Sequence, residues 1–388
     1  MLQKTSVFIV LGLLCLQIYS RETVEDKDTL SFGGAIRFNT FVKNFEESEK
    51  ALDAAAQFDV FILSADAHQS GFDASVQYRF YPESKTHFLR HAFIGYGIDS
   101  RWYVKLGIFQ KPFGISDYAS HNWFFQLPYY LGFEDREAMG IGFSNEQDKW
   151  KFDMAYFRQA SPSGPIRGDD SGVGNGRYSY AIVNTTGLVD GTTVAANIRE
   201  LDQFNGRIRY QLSDEVELGI SGQLGRIYNA TLDKSNWGAN WATHIVYDNN
   251  HWNFKGEVVG YNYNAQSDEG DKLDAVQMAA YGSAYDVAAK GTMYVAGLGY
   301  TIPVGRKLVN SVTCYVDYAY LDKKADGYHG THHLVPGVMI LSGPIYTYID
   351  YAMGKNQPWF SSSFTGLAEG ESDARWNARF NINIGYYF

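Results

Sequence analysis

The last fourteen residues of the chain, 375–388, alternate strictly between apolar and polar side chains. The apolar parity consists of Trp376, Ala378, Phe380, Ile382, Ile384, Tyr386 and Phe388. The polar parity consists of Arg375, Asn377, Arg379, Asn381, Asn383, Gly385 and Tyr387. Because successive side chains of a β-strand point to opposite faces, this segment predicts one strand with a fully apolar face. In a soluble sandwich such a strand would leave that face and an open edge exposed.

The same alternation recurs along the chain and indicates an all-β protein. The clearest segments are 72–80, 102–111, 203–212, 216–224 and 252–258. Charged residues within these segments fall mostly on the polar parity. A lipid-facing Arg or Lys at the middle of a membrane costs about 2–4 kcal/mol, so this placement is typical of a transmembrane β-barrel with a polar interior.

Composition agrees with a barrel rather than a soluble globule. Aromatic residues make up 16% of the chain, yet its mean hydropathy is −0.28. A membrane barrel reconciles these values because it turns apolar residues towards lipid and polar residues towards water. A net charge of −10 argues against nucleic acid as a partner.

The first twenty residues predict a secretory signal peptide, with a basic start and an apolar stretch from Val7 to Ile18. Cys15 follows the bulky Leu14, which argues against a lipoprotein signal. Residues 21–29 would form a short periplasmic segment, and 30–388 a single barrel domain. Cys314 is then the one remaining cysteine, so no intrachain disulfide is expected.

Connections between the predicted strands fall into two length classes. Short turns are expected at 68–71, 99–101, 146–149, 213–215, 248–251 and 303–308, with further hairpins at 82–87 and 342–344. Longer loops are expected at 44–56, 112–137, 160–202, 228–238, 264–290, 321–334 and 354–374. Short turns on one side and long loops on the other are typical of outer-membrane barrels. The pattern predicts about 16 strands, within a range of 14 to 18, with both termini in the periplasm of a Gram-negative bacterium.

One region carries recognisable motifs. They comprise Lys111, Pro112, Phe113 and Gly114 at the end of a strand, then Asp135, Arg136 and Gly140 after a long loop. This arrangement resembles the phosphate-selective porin O and P family, as do segment 343–356 and the aromatic C-terminus. The resemblance implies a sixteen-stranded, usually trimeric channel in which loop 112–137 folds inward as a constriction. The closely spaced arginines that mark phosphate-selective members are missing from this sequence.

Parity assigns the charged residues that would face the pore. We expect the lumen wall to contain Arg37, Arg79, Arg207, Arg209, Arg375 and Arg379. We expect the constriction to contain Lys105, Lys111, Asp117, His121, Asp135 and Arg136. Inward acidic residues, among them Asp59, Glu257, Asp317 and Asp350, are somewhat fewer than inward basic ones. This balance predicts at most a mild anion preference; alternatively, these charges only hydrate the wall and pair across strands.

Loop 112–137 is rich in aromatic residues: Phe113, Tyr118, Trp123, Phe124, Phe125, Tyr129, Tyr130 and Phe133. Their rings would either pack the loop against the inner wall, which we favour, or stack on sugars. His329, His332 and His333, and separately Asp268, Glu269, Asp271 and Asp274, are weak candidates for metal binding. No catalytic motif is present, so we expect neither an enzyme nor a cofactor.

The sequence therefore predicts an outer-membrane porin for passive diffusion of small hydrophilic solutes. Its expected partners are outer-membrane lipid, lipopolysaccharide, two further copies in a homotrimer, and small solutes or anions. Two alternatives remain: a channel specific for phosphate or sugars, and a secreted glycan-binding β-sandwich.

Overall fold

A computed structural model describes residues 28–45, 56–116, 118–164, 176–189, 192–361 and 365–388, excluding the side chains of 186–189 and 192–194. Sixteen antiparallel strands form a closed barrel, in which the first strand pairs with the last. The barrel strands are β1 (Thr29–Lys43), β2 (Ala56–Gln69), β3 (Phe72–Tyr81), β4 (Thr86–Gly97), β5 (Trp102–Gln110), β6 (Glu137–Gln147), β7 (Trp150–Ala160), β11 (Ile198–Ser213), β12 (Val216–Asn229), β13 (Lys234–Asp248), β14 (Trp252–Asn262), β17 (Lys290–Arg306), β18 (Val309–Lys323), β19 (Thr331–Ser342), β20 (Ile345–Lys355) and β21 (Asn377–Tyr387). The predicted count of sixteen is confirmed.

The remaining elements lie in the connections. They are helix α1 (Leu127–Tyr130), a 3₁₀ turn (Pro358–Phe360), and strands β8 (Ala181–Ile182), β9 (Thr185–Val189), β10 (Thr192–Ala196), β15 (Ala275–Ala280) and β16 (Ser283–Ala288). No helix in the described part of the chain is long and apolar enough to cross a membrane.

The barrel has its apolar residues outside and its polar residues inside. In β21, Phe380 and Ile384 expose 42% and 43% of their surface, whereas Asn381 and Asn383 expose 0% and 1%. This is the reverse of a soluble protein and matches a wall that meets lipid on one side. The observed alternation of exposed apolar and buried polar residues therefore confirms the predicted barrel and excludes the sandwich.

The C-terminus closes the barrel at its short-turn end. The amide of Gly34 donates to the carbonyl of Phe388 at 2.8 Å, and the amide of Phe388 donates back to Gly34 at 3.0 Å. A Cβ on Gly34 would lie 2.3 Å from the carbonyl oxygen of Ile62, so this approach requires glycine. Strand β1 begins at Thr29, one residue before the predicted start of the barrel, while the predicted signal peptide lies outside the described residues.

At two connections the structure adds to what the sequence predicted. β12 and β13 are joined by residues 230–233, so the connection predicted at 228–238 is short. Their pairing continues to the Asn229–Lys234 pair, which extends the hairpin to its tip. The weak periodicity of 276–290 arises because β15 and β16 do not belong to the barrel wall; they form a separate sheet with β8 that is mostly buried on both faces.

Candidate pore and its lining

Residues 111–136, between β5 and β6, are held by carboxylates of the inner wall. Glu257 on β14 accepts a hydrogen bond from the backbone amide of Ile115 at 3.1 Å. Asp317 on β18 accepts from the amides of His121 and Asn122 at 2.7 and 3.1 Å. Carboxylates are strong acceptors for backbone N–H groups, so these inward acids bind the loop to the wall.

Further contacts from two other strands, and again from β14, add to this attachment. Asp350 on β20 accepts from the amide of Trp123 at 3.3 Å, and Ser221 on β12 accepts from Gly114 at 3.0 Å. Lys255 on β14 donates its ammonium to the carbonyl oxygens of Tyr118 and Ser120 at 2.7 and 3.0 Å. Polar residues that would otherwise face water therefore satisfy the backbone of a loop inside the barrel.

Tyrosines from the extracellular connections hold the far side of the same loop. Tyr263 donates to the carbonyl of Leu131 at 2.6 Å, and Tyr285 of β16 donates to that of Tyr130 at 2.5 Å. Tyr281, at the tip of the β15–β16 hairpin, shares a 2.5 Å hydrogen bond with the hydroxyl of Tyr129. The β8–β15–β16 sheet thus contacts the inner loop at the long-loop end of the barrel.

Between this loop and the wall lies a cavity of about 690 Å³. Its charged lining residues are Arg37, Arg79, Arg90, Arg379, Asp59 and Glu83. Four guanidinium groups therefore face two carboxylates. The arginines come from β1, β3, β4 and β21, which are neighbours in the barrel, so positive charge is concentrated on one sector of the wall.

The four arginines differ in their partners. Arg37 pairs with Asp59 at 2.8 Å, and Arg90 pairs with Asp135 at 2.5 Å. Arg79 donates to the amide oxygen of Gln77 at 2.8 Å, and no carboxylate of the described residues forms an ion pair with it. Arg379 donates to the amide oxygen of Asn381 at 3.2 Å.

Much of the remaining lining of the cavity is aromatic. It contains Tyr118, Trp123, Phe124, Phe125, Tyr129, Tyr130, Tyr178, Tyr180, Tyr281 and Trp359. Several of these rings pack on one another, as Phe125 does on Tyr129 with centroids 4.2 Å apart. The guanidinium carbon of Arg79 lies 4.4 Å from the ring centre of Tyr178, so the basic and aromatic walls meet there through a cation–π contact.

A second cavity of about 610 Å³ lies towards the short-turn end. It continues along the same strands: Ser64 and Gln77 line the first cavity, and Asp66 and Ser75 line the second. Lys105 also lines it, together with Arg101, Asp73 and Glu146. We call this second cavity the periplasmic chamber. The predicted constriction residue Lys105 therefore lies in this chamber, where both signs of charge are present.

Lys111 and Arg136 are enclosed between the loop and the wall. Lys111 is 4% exposed and donates to Gln203, and burial lowers its pKa well below the usual value. Arg136 is 3% exposed and pairs with Glu200. Both border a space of only about 10 Å³ and are absent from the lining of the two larger cavities.

The remaining predicted constriction residues have different positions. His121 is held between Asp317 and Asn253, with 2.7 Å from a ring nitrogen to each. Asp135 is 2% exposed and bound to Arg90. Asp117 lies outside the described residues. His121 and Asp135 thus position the loop and are absent from the lining of the larger cavities.

The predicted wall arginines also separate into groups. Arg37, Arg79 and Arg379 line the larger cavity. Arg207 donates to Asp153 at 2.9 and 3.0 Å and to the carbonyl of Gly114, and Arg209 lies 3.4 Å from the same carboxylate. Arg375 is exposed and precedes β21, which begins at Asn377.

Sequence reasoning missed Arg90 because of a β-bulge. Gln77 pairs with His91, but the next residue, Tyr78, pairs with Leu89, which leaves Arg90 as the extra residue. A bulge of this kind interrupts the alternation of faces. Counting parity back from the C-terminal end of β4 therefore places Arg90 on the outer face, and only the register shows that it lines the cavity.

The candidate metal ligands are engaged in other ways. His332 and His333 are neighbours on β19; His332 packs on Tyr320 and Trp376, whereas His333 is 0% exposed. Asp268 accepts from the amide of Asn197 at 2.8 Å and from the side chain of Asn229 at 2.9 Å. No group of three or more potential ligands converges in the portion of the chain that the structure describes.

A sixteen-stranded barrel with an apolar outer face, an internal loop and cavities lined by charged residues defines an outer-membrane channel of the porin class. A family described as phosphate-selective porin O and P matches residues 63–329, well over half of the chain. The chain belongs to this family. It is located in the outer membrane and acts as a channel for small solutes.

Solved structures show the same fold at low sequence identity. The outer membrane channel DcaP of Acinetobacter baumannii is similar with a TM-score of 0.57 and 10% identity, over 94% of this chain and 98% of that one. An anion-selective porin from Comamonas acidovorans gives 0.55 and 12%, over 93% and 100%. OmpT of Vibrio cholerae gives 0.53 and 11%, over 93% and 98%. No curated protein matches the sequence significantly.

Proposed function

We propose that this porin has a mild preference for anions and no catalytic role. The observation that carries the proposal is the lining of the larger cavity, where four arginines face two carboxylates. Asp317, Asp350 and Glu257, which sequence parity counted as pore charges, are hydrogen-bonded to the loop. The negative charge left at the cavity is therefore smaller than the sequence suggested.

The physical basis is the potential inside a narrow passage. A lumen with an excess of one sign raises the local concentration of ions of the opposite sign, and charged side chains of the wall decide pore selectivity. Because Arg37 and Arg90 are paired with carboxylates, the net field is modest. The similar anion-selective porin from Comamonas acidovorans agrees with this direction.

The test is the reversal potential of single channels in a salt gradient. Replacing Arg79 and Arg379 by Gln removes two cavity charges and should shift the preference towards cations. Arg375→Gln is the matched control, because Arg375 precedes the same strand as Arg379 but lies outside the cavity. Equal reversal potentials for the wild type and the double variant would contradict the proposal.

Phosphate specificity is the second candidate function, and the neighbouring arginines of the cavity favour it. A phosphate site would bind the ion long enough to interrupt the chloride current. Millimolar phosphate added to chloride should then reduce the current of the wild type and leave that of the Arg79→Gln, Arg379→Gln variant unchanged. If phosphate does not reduce the wild-type current, phosphate is one permeant anion among others.

We further propose that the channel is a homotrimer embedded among outer-membrane lipids and lipopolysaccharide. The outer face of β2–β5 supports this proposal because small side chains leave a shallow groove of about 470 Å³ there. Its small residues are Ala65, Ala67, Ala74, Ala92 and Gly107. Barrel surfaces can approach closely where side chains are small, and a subunit contact needs such a surface.

A further inference from the structure

Three arginines lie on the outer surface of the barrel at its extracellular end. Arg158 is on β7, Arg199 on β11 and Arg226 on β12. All three lie near the end of the barrel that is opposite the C-terminus, next to the connections between these strands. Arg158 and Arg226 both pair with Asp202. We call Arg158, Arg199, Asp202 and Arg226 the outer arginine cluster.

The cluster is held in place by residues at the membrane interface. Tyr156 donates to Asp202 at 2.6 Å, and the guanidinium of Arg199 lies 5.1 Å from the ring centre of Tyr228. Trp237 pairs with Arg226 across β12 and β13, and Phe204 lies just below the cluster; they expose 52% and 49% of their surface. Outward aromatic residues mark the interfacial level of a membrane barrel, so the guanidinium groups lie at the height of lipid headgroups.

The outer arginine cluster carries a net positive charge, and part of this charge is exposed on the barrel surface. Three guanidinium groups face Asp202 and the more distant Asp233, which accepts from the hydroxyl of Tyr228 at 3.0 Å. The side chain of Arg158 is 56% exposed. One carboxylate therefore holds two guanidinium groups side by side while leaving N–H donors directed outward, an arrangement that suits a phosphate oxyanion.

An apolar groove of about 810 Å³ lies below the cluster on the same strands. Gly206 and Gly222 pair directly across β11 and β12, and a Cβ on either would meet nothing within 4 Å. Met154, Ile208 and Ile220 flank them and are exposed. The two glycines thus leave a depression in a wall that is otherwise covered by large side chains.

The separation between cluster and groove fits a lipid. Met154 and Arg158 are four residues apart on β7, and Gly222 and Arg226 are four residues apart on β12. At about 3.3 Å per residue, the groove begins roughly 13 Å along the strands from the guanidinium groups. This is the scale over which an acyl chain runs from a headgroup towards the centre of a bilayer of about 30 Å.

We propose that the outward face of β7, β11 and β12 binds one phosphorylated, multiply acylated glycolipid of the outer leaflet. Its phosphate contacts Arg158 and Arg226, and one acyl chain lies in the groove at Gly206 and Gly222. This site deepens the proposed lipopolysaccharide partnership and is separate from the pore. A second copy of this chain is a poorer occupant, because the matching isologous or rotated surface would have to neutralise the arginines.

The binding test uses the full chain, folded in non-ionic detergent, and native mass spectrometry to count bound lipid. The probes are bis-phosphorylated lipid A, monophosphoryl lipid A and phosphatidylglycerol. Wild-type protein should bind them in that order. Arg158→Gln with Arg226→Gln should weaken binding of bis-phosphorylated lipid A about tenfold, since two charge-assisted contacts are lost. Lys324→Gln, at an exposed cation paired with Asp322 on another sector, is the control and should bind like the wild type.

A separate substitution tests the role of the groove in lipid binding. Gly222→Leu fills the depression and should weaken binding of all three lipids severalfold, whereas Ala296→Leu, which introduces the same side chain at an exposed site on β17, should not. Arg158→Lys with Arg226→Lys keeps the charge but loses the forked donors, and should bind at an intermediate level. This variant provides the test if the Gln variant does not fold.

Three outcomes would overturn the inference. Equal lipid binding by the wild type and the arginine variants would leave the cluster as a surface ion-pair network. A loss of lipid binding in Lys324→Gln equal to that in the arginine variants would indicate general charge attraction. A change of oligomeric state in Gly222→Leu with unchanged lipid binding would assign the groove to a second copy. Reversal potentials should remain at the wild-type value in every variant of this site, so its failure is distinguishable from that of the proposed anion preference.

Discussion

At the scale of single residues, burial and pairing decide which charges act on the passage. Lys105 lines the periplasmic chamber, whereas Lys111 is enclosed and bonded to Gln203. Glu134 is a further enclosed group at 2% exposure, and burial, with Glu257 and Asp135 nearby, raises its pKa well above the usual value. Formal charge in the sequence therefore overstates the charge that a passing ion meets.

The two lysines should respond differently to substitution. Lys105→Glu reverses a charge in the chamber and should shift the reversal potential towards cation preference. Lys111→Gln should leave the reversal potential unchanged and lower the temperature at which the folded barrel unfolds, because a buried donor to Gln203 is altered. Reversal potentials and heat-induced gel shifts measure the two effects. The opposite pattern would place Lys111 in the passage.

At the scale of elements, strand β18 and the inner loop form one unit. Asp317 is 0% exposed and accepts from two backbone amides and from the side chain of Asn122 at 2.7 Å. Strand β21 has a comparable role in closing the barrel, since its following residue Phe388 exchanges two backbone hydrogen bonds with Gly34. In each of these two elements, a change at one residue should test the role of that element.

Asp317→Ala should loosen the loop without preventing barrel assembly. Each buried N–H group left without an acceptor costs about 1–3 kcal/mol, so the loop should leave its bound position more often. Single-channel records should then show more open-state noise and additional conductance levels. Asp322→Ala, an exposed change on the same strand, is the control. Quiet channels of wild-type conductance would show that the loop does not depend on this anchor.

Deleting Phe388 should reduce the amount of folded channel in the outer membrane by severalfold. The deletion removes both hydrogen bonds to Gly34 and the aromatic end of β21. Pro162→Ala, at an exposed site in the connection after β7, should leave the amount unchanged because exposed loops tolerate change. Outer-membrane fractionation followed by heat-shift gels provides the comparison. Equal amounts of both variants would contradict a special role for the terminus.

At the scale of the whole molecule, the outer surface is uneven. Large side chains cover most of the lipid-facing wall, but β2–β5 carry the alanines of the proposed subunit contact. The outer arginine cluster is on β7, β11 and β12, and β6 separates it from that face. Under the two proposals above, one sector of the barrel surface contacts other subunits and another binds lipid.

Ala74→Trp should convert trimers into monomers while preserving the barrel. The indole would occupy the shallow groove and hold a neighbouring subunit away. Crosslinking in membranes and native gels measure the oligomeric state, and Ala296→Trp on β17 serves as the control for a large lipid-facing residue. Trimers of Ala74→Trp with wild-type stability would place the contact on another sector.

The sequence by itself determined the parts of this protein that depend on local periodicity. Alternation in segments such as 375–388 shows which face meets lipid, and the lengths of the connections give the number of strands and the side on which each loop lies. These features follow from neighbouring residues, so no distant contact is needed to read them. The sixteen-stranded barrel with its apolar face outward was predictable for this reason.

The tertiary structure alone decided which charged residues border the passage. His121 meets Asp317 across 196 positions of sequence, and Lys111 meets Gln203 across 92; no local pattern encodes such pairs. The bulge at Arg90 depends on the register of two strands, and the pairing of Arg136 with Glu200 depends on how the loop packs. A side chain's parity places it on the inner face, but only packing determines whether water, a ligand or another side chain covers it.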